Sequence, residues 1–218
     1  YDPHDPYLPH AEFPFGDAPE QRYDAEVAYT DRQIGRLIEG LRTRGIVQEA
    51  ATWLFSDHGE EFHDHGGQYH GTTLYEELVR VPAVLLLPGG VRGTIATPTS
   101  LLDLVPTSLA LLDVPATPPL GRAGRSLAPY LRPQVTEPPV RPIFIECFRN
   151  DSSNISTYLA ALREGPWKLI YTPAAHFFEL YHLDFDPQET RNVYDLLPTE
   201  AARLTRLLGA FRALEQAE

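Results

Sequence analysis

Methionine is absent from the 218 residues, cysteine occurs once, and basic residues are few. Each scarcity excludes something. One cysteine cannot build a disulfide framework or a cysteine-rich zinc module. The 18 Lys+Arg stand against 30 Asp+Glu, a net charge of −12, which argues against a nucleic-acid backbone as the main partner, because such binders concentrate positive charge. Long apolar runs are missing too. The longest, Val81–Leu87, is interrupted by Pro82 and ends at Pro88-Gly89-Gly90, well short of the roughly 18 residues a membrane helix needs. No signal peptide is visible. A chain without methionine that opens YDPHDPY is expected to be the later part of a longer polypeptide. What remains is ample for a packed core: 43% of residues are hydrophobic and 11% aromatic, which excludes disorder of the whole chain.

Prolines at positions 3, 6, 9, 14 and 19 make residues 1–19 an extended loop, carrying His4, Asp5, Tyr7 and His10. This loop is either a site wall or a surface connection. Residues 20–44 read as a helix, with Tyr23, Val27, Ile34, Leu37, Ile38 and Leu41 at helical spacing and Gly45 as its stop. Residues 51–56 and 81–87 read as buried strands. Residues 103–112 read as a helix capped by Asp103, 115–142 as a long loop, and Ile143–Glu146 as a third strand. The character then changes. Residues 156–163, 167–172 and 178–183 are short strands between turn signals, an antiparallel meander, and 199–216 form a closing amphipathic helix.

Histidine carries the chemistry. Of 8 in the chain, His58, His63, His65 and His70 fall within one short stretch that also holds Asp57, Glu60, Glu61 and Asp64. Asp57-His58 sits at the carboxyl end of a predicted buried strand, where open α/β sheets place ligands, and both side chains ligate divalent metals. A closed structural zinc site and a solvated polar loop are the other readings. The spacing lacks the i, i+4 pair of a zinc protease helix, so that class is disfavoured. Neutral imidazole suits proton transfer near pH 7.

The stretch SDHGEEFHDHGGQYHGTTLYEELVRVPAVLLLPGG resembles the C-terminal half of the sulfatase family, in the alkaline-phosphatase-like superfamily. The opening YDPHDPYLP, the helix AEVAYTDRQIGRLIEGLRTRG, SLLDLVPTSLALLDV, GRSLAPYL, and ALREGPWKLIY followed by ELYHLDFDPQETRNVYD resemble further family elements in the family's order. The resemblance implies an α/β fold. Residues 1–148 would be the C-terminal part of the catalytic sandwich, a mostly parallel sheet flanked by helices. Residues 149–218 would be a small antiparallel sheet plus helix.

The resemblance also implies roles. Asp57 and His58 match the downstream metal ligands, and His4 and His70 match leaving-group-side catalytic histidines. His65, in DHGG, lines the site for substrate or orients a neighbour. The cofactor implied is one divalent ion, calcium or manganese, with His58 favouring manganese because imidazole is a poor calcium ligand. The partner implied is a small-molecule or carbohydrate sulfate ester, and the location is periplasmic or extracellular. Oligomeric state is not legible.

The family's formylglycine motif, C-x-P-x-R or S-x-P-x-R, does not occur, and Cys147 begins CFRND, so the nucleophile is not in this chain and the chain alone is expected to be inactive. Two alternatives stay open. One is a phosphate or phosphonate ester hydrolase or phosphoethanolamine transferase of the same superfamily. The other is a non-catalytic metal-binding module.

Overall fold

The computed structural model describes residues 3–90, 92–115, 124–131, 137–150 and 156–215. The opening loop leads into helix α1 (Pro19–Thr43), where Pro19 at the first helical position is pre-set for helical φ. The Gln21 side chain accepts the Ala18 N–H at 3.2 Å and so meets one unpaired donor. Gly45, at φ +76°, donates to the Arg42 carbonyl and ends the helix, as its sequence position predicts. Only Ala25 and Glu26 of α1 are buried, and Val27 and Leu37, expected on its inner face, are exposed.

Strand β1 (Thr52–Phe55) is followed by the short strands β2 (Glu61–Phe62) and β3 (Gln68–Tyr69), which pair as a hairpin. One helical turn, α2 (Glu76–Val79), precedes strand β4 (Ala83–Leu86). β4 pairs with β1 antiparallel, Thr52 opposite Leu86 and Phe55 opposite Ala83. The mostly parallel sheet expected from the sequence is therefore not found among the described residues. The reason lies in the connection. A parallel neighbour needs a crossover that carries the chain back along the strand. Residues 56–82 instead leave and return at one end, where the Ser56 N–H meets the Pro82 carbonyl.

Helix α3 (Leu104–Leu111) is tied to β1 through the Trp53 indole N–H, 3.0 Å from Ser108 Oγ. A 3₁₀ turn at Leu101–Asp103 precedes it, and Ser100, not Asp103, supplies the capping oxygen, to the Leu102 N–H. Asp103 is fully buried and accepts from the backbone of Ser100 and Arg125 and from the Arg141 guanidinium.

Strands β5 (Ile143–Asn150), β6 (Ser156–Glu164), β7 (Trp167–Thr172) and β8 (Phe177–His182) form an antiparallel meander in that order. β5 continues across residue 148 and pairs with β6 from Ile143 onward, so it belongs to this sheet and not beside β1. Strand alternation gives the sheet two apolar faces. Ala160, Leu162, Leu169 and Leu180 pack on Ala201, Leu204 and Leu208 of helix α4 (Pro198–Glu215). On the other face Leu159, Ala161, Ile170 and Tyr181 pack on Leu74 and Leu183. That second face is the floor beneath the histidine-rich loop. No described helix is long and apolar enough to cross a membrane.

Candidate active site

Asp57 and His58 leave β1 at its carboxyl end, where the Gly59 N–H is anchored to the Leu78 carbonyl at 2.8 Å. The chain then makes the β2–β3 hairpin, whose tight turn is closed by the His63 N–H on the Gly67 carbonyl at 3.0 Å. Glu61, fully buried, holds this loop from inside. Its carboxylate accepts from the His65 N–H, the Gly67 N–H and the Thr73 hydroxyl at 3.1, 2.7 and 3.1 Å. The hairpin returns His70 to His58, and the rings stack with centroids 4.2 Å apart. His4, from the opening loop, meets His70 edge-on at 5.4 Å. The fold therefore gathers His4, His58 and His70 into a contiguous row, with Asp57 at one end, its Oδ1 3.9 Å from His58 Nε2.

The three rings share a hydrogen-bonding pattern. His4 Nδ1 faces the Asp5 carbonyl at 2.8 Å, His58 Nδ1 faces the Gly59 carbonyl at 2.8 Å, and His70 Nδ1 faces Glu60 Oε1 at 3.1 Å. Carbonyl and carboxylate oxygens only accept, so each Nδ1 carries a hydrogen. Each neutral ring then keeps its lone pair on Nε2. Glu60 also accepts the Tyr7 hydroxyl at 2.8 Å, and its side chain is only 3% exposed. Burial and the Glu60 carboxylate push the Tyr7 hydroxyl up, so it stays a donor. Tyr7 itself packs against Tyr23 and Phe62.

His65 lies elsewhere. It stacks on Tyr75 at 3.6 Å, with Nδ1 2.6 Å from Glu77 Oε1 and Nε2 3.0 and 3.3 Å from the carbonyls of Gln188 and Glu189. Both nitrogens face acceptors and neither is free for a substrate. Burial alone lowers the pKa of this ring, but the hydrogen bond and charge of Glu77 and the two carbonyls outweigh it, and the net shift is upward. A group whose folded pKa is raised contributes stability that is complete below its unfolded pKa and is lost as pH rises through the folded value. The stability difference between the wild type and His65→Gln is therefore expected to be largest on the acid side and to shrink as pH rises. Urea unfolding at a series of pH values measures it, and a pH-independent difference contradicts the charged clamp.

The divalent ion that the sequence implies can be tested against the donors present. Asp57 offers a carboxylate that is 85% exposed, and His58 offers Nε2 with Nδ1 already committed, a tautomer fit to ligate. The pair supplies an oxygen and a nitrogen donor suited to a borderline ion. Among the described residues no group of three or more His, Cys, Asp or Glu side chains is arranged around one metal position, so these two are a partial set.

Sequence reasoning missed Glu60 and Tyr7 as parts of this site. The acids of the stretch are visible, but nothing local says which one turns toward His70. Tyr7 is 53 residues from Glu60, and only the fold joins them.

Comparison with known proteins defines the class. The Sulfatase family model matches residues 3–114, and the model for the C-terminal region of N-sulphoglucosamine sulphohydrolase matches residues 64–211. The chain belongs to the sulfatase family. Among its relatives, arylsulfatase K of Danio rerio is 32% identical over 192 residues, covering 85% of this chain and 36% of that protein. Choline-sulfatase of Rhizobium meliloti (strain 1021) is 32% identical over 200 residues, covering 89% of this chain and 36% of that protein. The chain thus spans about a third of the length of these curated relatives. Among solved structures, one determined in complex with its substrate D-glucosamine-2-N,6-O-disulfate aligns with TM-score 0.74 at 21% identity, covering 94% of this chain and 44% of that one. The phosphonate monoester hydrolase of Silicibacter pomeroyi aligns with TM-score 0.76 at 22% identity, covering 89% of this chain and 41% of that one. At these identities the structural matches establish the fold.

Proposed function

We propose that the full-length protein is a metal-dependent hydrolase of sulfate esters, acting on carbohydrate or small-molecule sulfates. The observation that carries the proposal is the row of His4, His58 and His70 with Nε2 left open beside Asp57, within a sulfatase-family chain. Asp57 and His58 are the residues that would hold a divalent ion. Such an ion, when bound, supplies Lewis-acid charge that stabilises an anionic nucleophile and the sulfuryl oxygens. His70 serves the leaving group. As the ester S–O bond breaks, its electron pair goes to the alcohol oxygen, which takes the Nε2 proton of the His70 imidazolium and leaves a neutral ring with its hydrogen on Nδ1, facing Glu60. His4, edge-on to His70, offers a second Nε2, which donates to the ester oxygens when the ring is protonated. His65 holds the loop. Cys147 is not the nucleophile: it lies in β5, its thiol 3.5 Å from the Gly71 carbonyl, packed on the face with Leu74 and Leu159. The substrate classes follow what relatives bind or are named for, a disulfated glucosamine in one solved structure and choline sulfate in the name of another protein.

The test is turnover by the full-length protein of matched sulfate, phosphate and phosphonate esters, before and after chelation. Higher kcat/KM on sulfate esters is expected, with loss on chelation and better recovery with manganese than with calcium. A preference for phosphonate or phosphate moves the protein to the other branch of the superfamily. Metal binding without turnover of any ester makes it a non-catalytic module.

A further inference from the structure

His70 is aimed by two groups that family resemblance does not assign. Glu60 lies next to Glu61, yet the two carboxylates do different work. Glu61 accepts from the loop's own backbone and Thr73, whereas Glu60, among the described residues, accepts from two side chains, Tyr7 Oη–H and His70 Nδ1–H. No ion pair joins Glu60 to a lysine or arginine among the described residues; its charged-group partner is His70. An enclosed carboxylate without a fixed cation is costly, and an apolar residue of similar volume would fill the space more cheaply. The visible counterpart of that cost is one anchored imidazole.

The anchoring has a direction. With Nδ1–H directed at Glu60, rotation of the ring about χ2 would break the bond, so Nε2 is the nitrogen left open. Tyr7 fixes the other oxygen of Glu60, and so fixes the carboxylate plane. Tyr7 also belongs to the loop that carries His4, so one hydrogen-bonded chain, Tyr7–Glu60–His70, ties the two site loops together. A histidine that is a merely satisfied polar side chain needs no such two-point holder.

We propose that Glu60, backed by Tyr7, is a positioning residue that keeps a hydrogen on Nδ1 of His70, so that Nε2 is the nitrogen that faces the leaving oxygen of the ester and carries the proton it receives. The inference rests on the sulfate-ester reading above for its kinetic consequence, but not for its tautomer claim. In Glu60→Leu the acceptor is gone, and His70 is free to rotate and to adopt the Nε2–H form that an unconstrained histidine side chain favours. In Glu60→Gln one acceptor oxygen remains, and partial retention is expected. The double variant Tyr7→Phe/Glu60→Leu also removes the buried hydroxyl that Glu60→Leu would orphan, while His70, a third exposed, can turn to water, so it keeps the fold if the single variant does not.

Two measurements on the full-length protein decide it. Imidazole nitrogen NMR is expected to give the Nδ1–H signature for His70 in the wild type and its loss in Glu60→Leu and in the double variant. Kinetics are expected to show kcat lower by about 10²-fold on alkyl or sugar sulfates with KM nearly unchanged, and much less loss on aryl sulfates whose leaving group needs no proton. Glu60→Gln is expected between wild type and Glu60→Leu. An unchanged tautomer in both Leu variants overturns the proposal, as does a rate loss equal for good and poor leaving groups. Failure of the wild type to hydrolyse any sulfate ester defeats the proposed function instead, and the NMR result still decides whether Glu60 sets the His70 tautomer.

Discussion

Lys168→Met is expected to lower the unfolding free energy by about 3–5 kcal/mol, the cost of removing one partner from a buried ion pair. Lys168 has no exposed surface, and its ammonium lies 3.0 Å from Glu76 Oε1 and 2.9 Å from Glu189 Oε1. Glu189 is itself 1% exposed. Its other oxygen accepts the Glu76 N–H at 2.6 Å, at the first turn of α2, while Arg163 reaches Glu76 Oε2 at 2.7 Å. Methionine fills the stem's volume but leaves two carboxylates in the interior with Arg163 as the remaining cation. Burial pushes the Glu189 carboxyl up and Lys168 pulls it down, with a net upward shift. A carboxylate with a raised folded pKa binds more protons folded than unfolded, so acid stabilises the folded state. The gap between wild type and Lys168→Met should therefore narrow as pH falls. Adding Glu189→Gln should recover much of the loss. Urea denaturation of the three proteins across pH reads all of this, and a loss below about 1 kcal/mol would place the cluster with weak surface pairs.

This cluster also explains how the C-terminal sheet reaches the site. Lys168 and Arg163 project from β7 and β6 onto Glu76 of α2, and the next residue, Glu77, holds His65. His65 in turn donates its backbone N–H to Glu61, the acceptor inside the histidine loop. The loop that aims His70 is thus braced from below by charge as well as by the apolar contacts of Leu74.

Local pattern was a good guide where elements are defined by their own residues. The meander is visible because Glu164-Gly165-Pro166 and Asp184-Phe185-Asp186-Pro187 punctuate strands of alternating character, and α4 because Leu204 and Leu208 share a helical face. It failed where pairing depends on distant partners. The apolar run at 81–87 says strand but not direction, and β4 proved antiparallel to β1. Ile143 reads as a buried strand whichever sheet takes it, and β6 does. In the candidate site, clustering of histidines along the chain marks a segment but does not separate His65 from His58 and His70, which the fold places apart. His65 stands near Glu77 only because α2 folds back, and its second nitrogen meets carbonyls more than 120 residues away. The Tyr7–Glu60 bond spans a similar kind of gap.

Gly59→Ala is expected to leave a folded protein whose ester hydrolysis falls about 10²-fold or more, the size of effect that a displacement near 1 Å at reacting groups produces. The sequence suggests a glycine needed for a sharp turn or for close approach of a ligand. The structure gives another reason. Gly59 is not among the residues with positive φ, so an alanine could adopt its backbone angles. The obstacle is the neighbouring chain, since a Cβ at this position would lie 1.9 Å from the Glu77 carbonyl oxygen and 3.0 Å from its carbon. Both are backbone atoms in α2, so no side chain can swing aside. The two segments must part, and the bond between the Gly59 N–H and the Leu78 carbonyl stretches with them. Residues on either side then move together, with Asp57 and His58 before the glycine and Glu60 after it. The separation also pulls Glu77 from His65. Overpacking of this kind costs about 1–3 kcal/mol of stability. The expected pattern is a modest drop in Tm with native circular dichroism, a large drop in kcat, and loss of the Nδ1–H signature of His70. Full activity in Gly59→Ala would mean that α2 can recede without disturbing the row of imidazoles, and that the anchor between Gly59 and Leu78 does not position them.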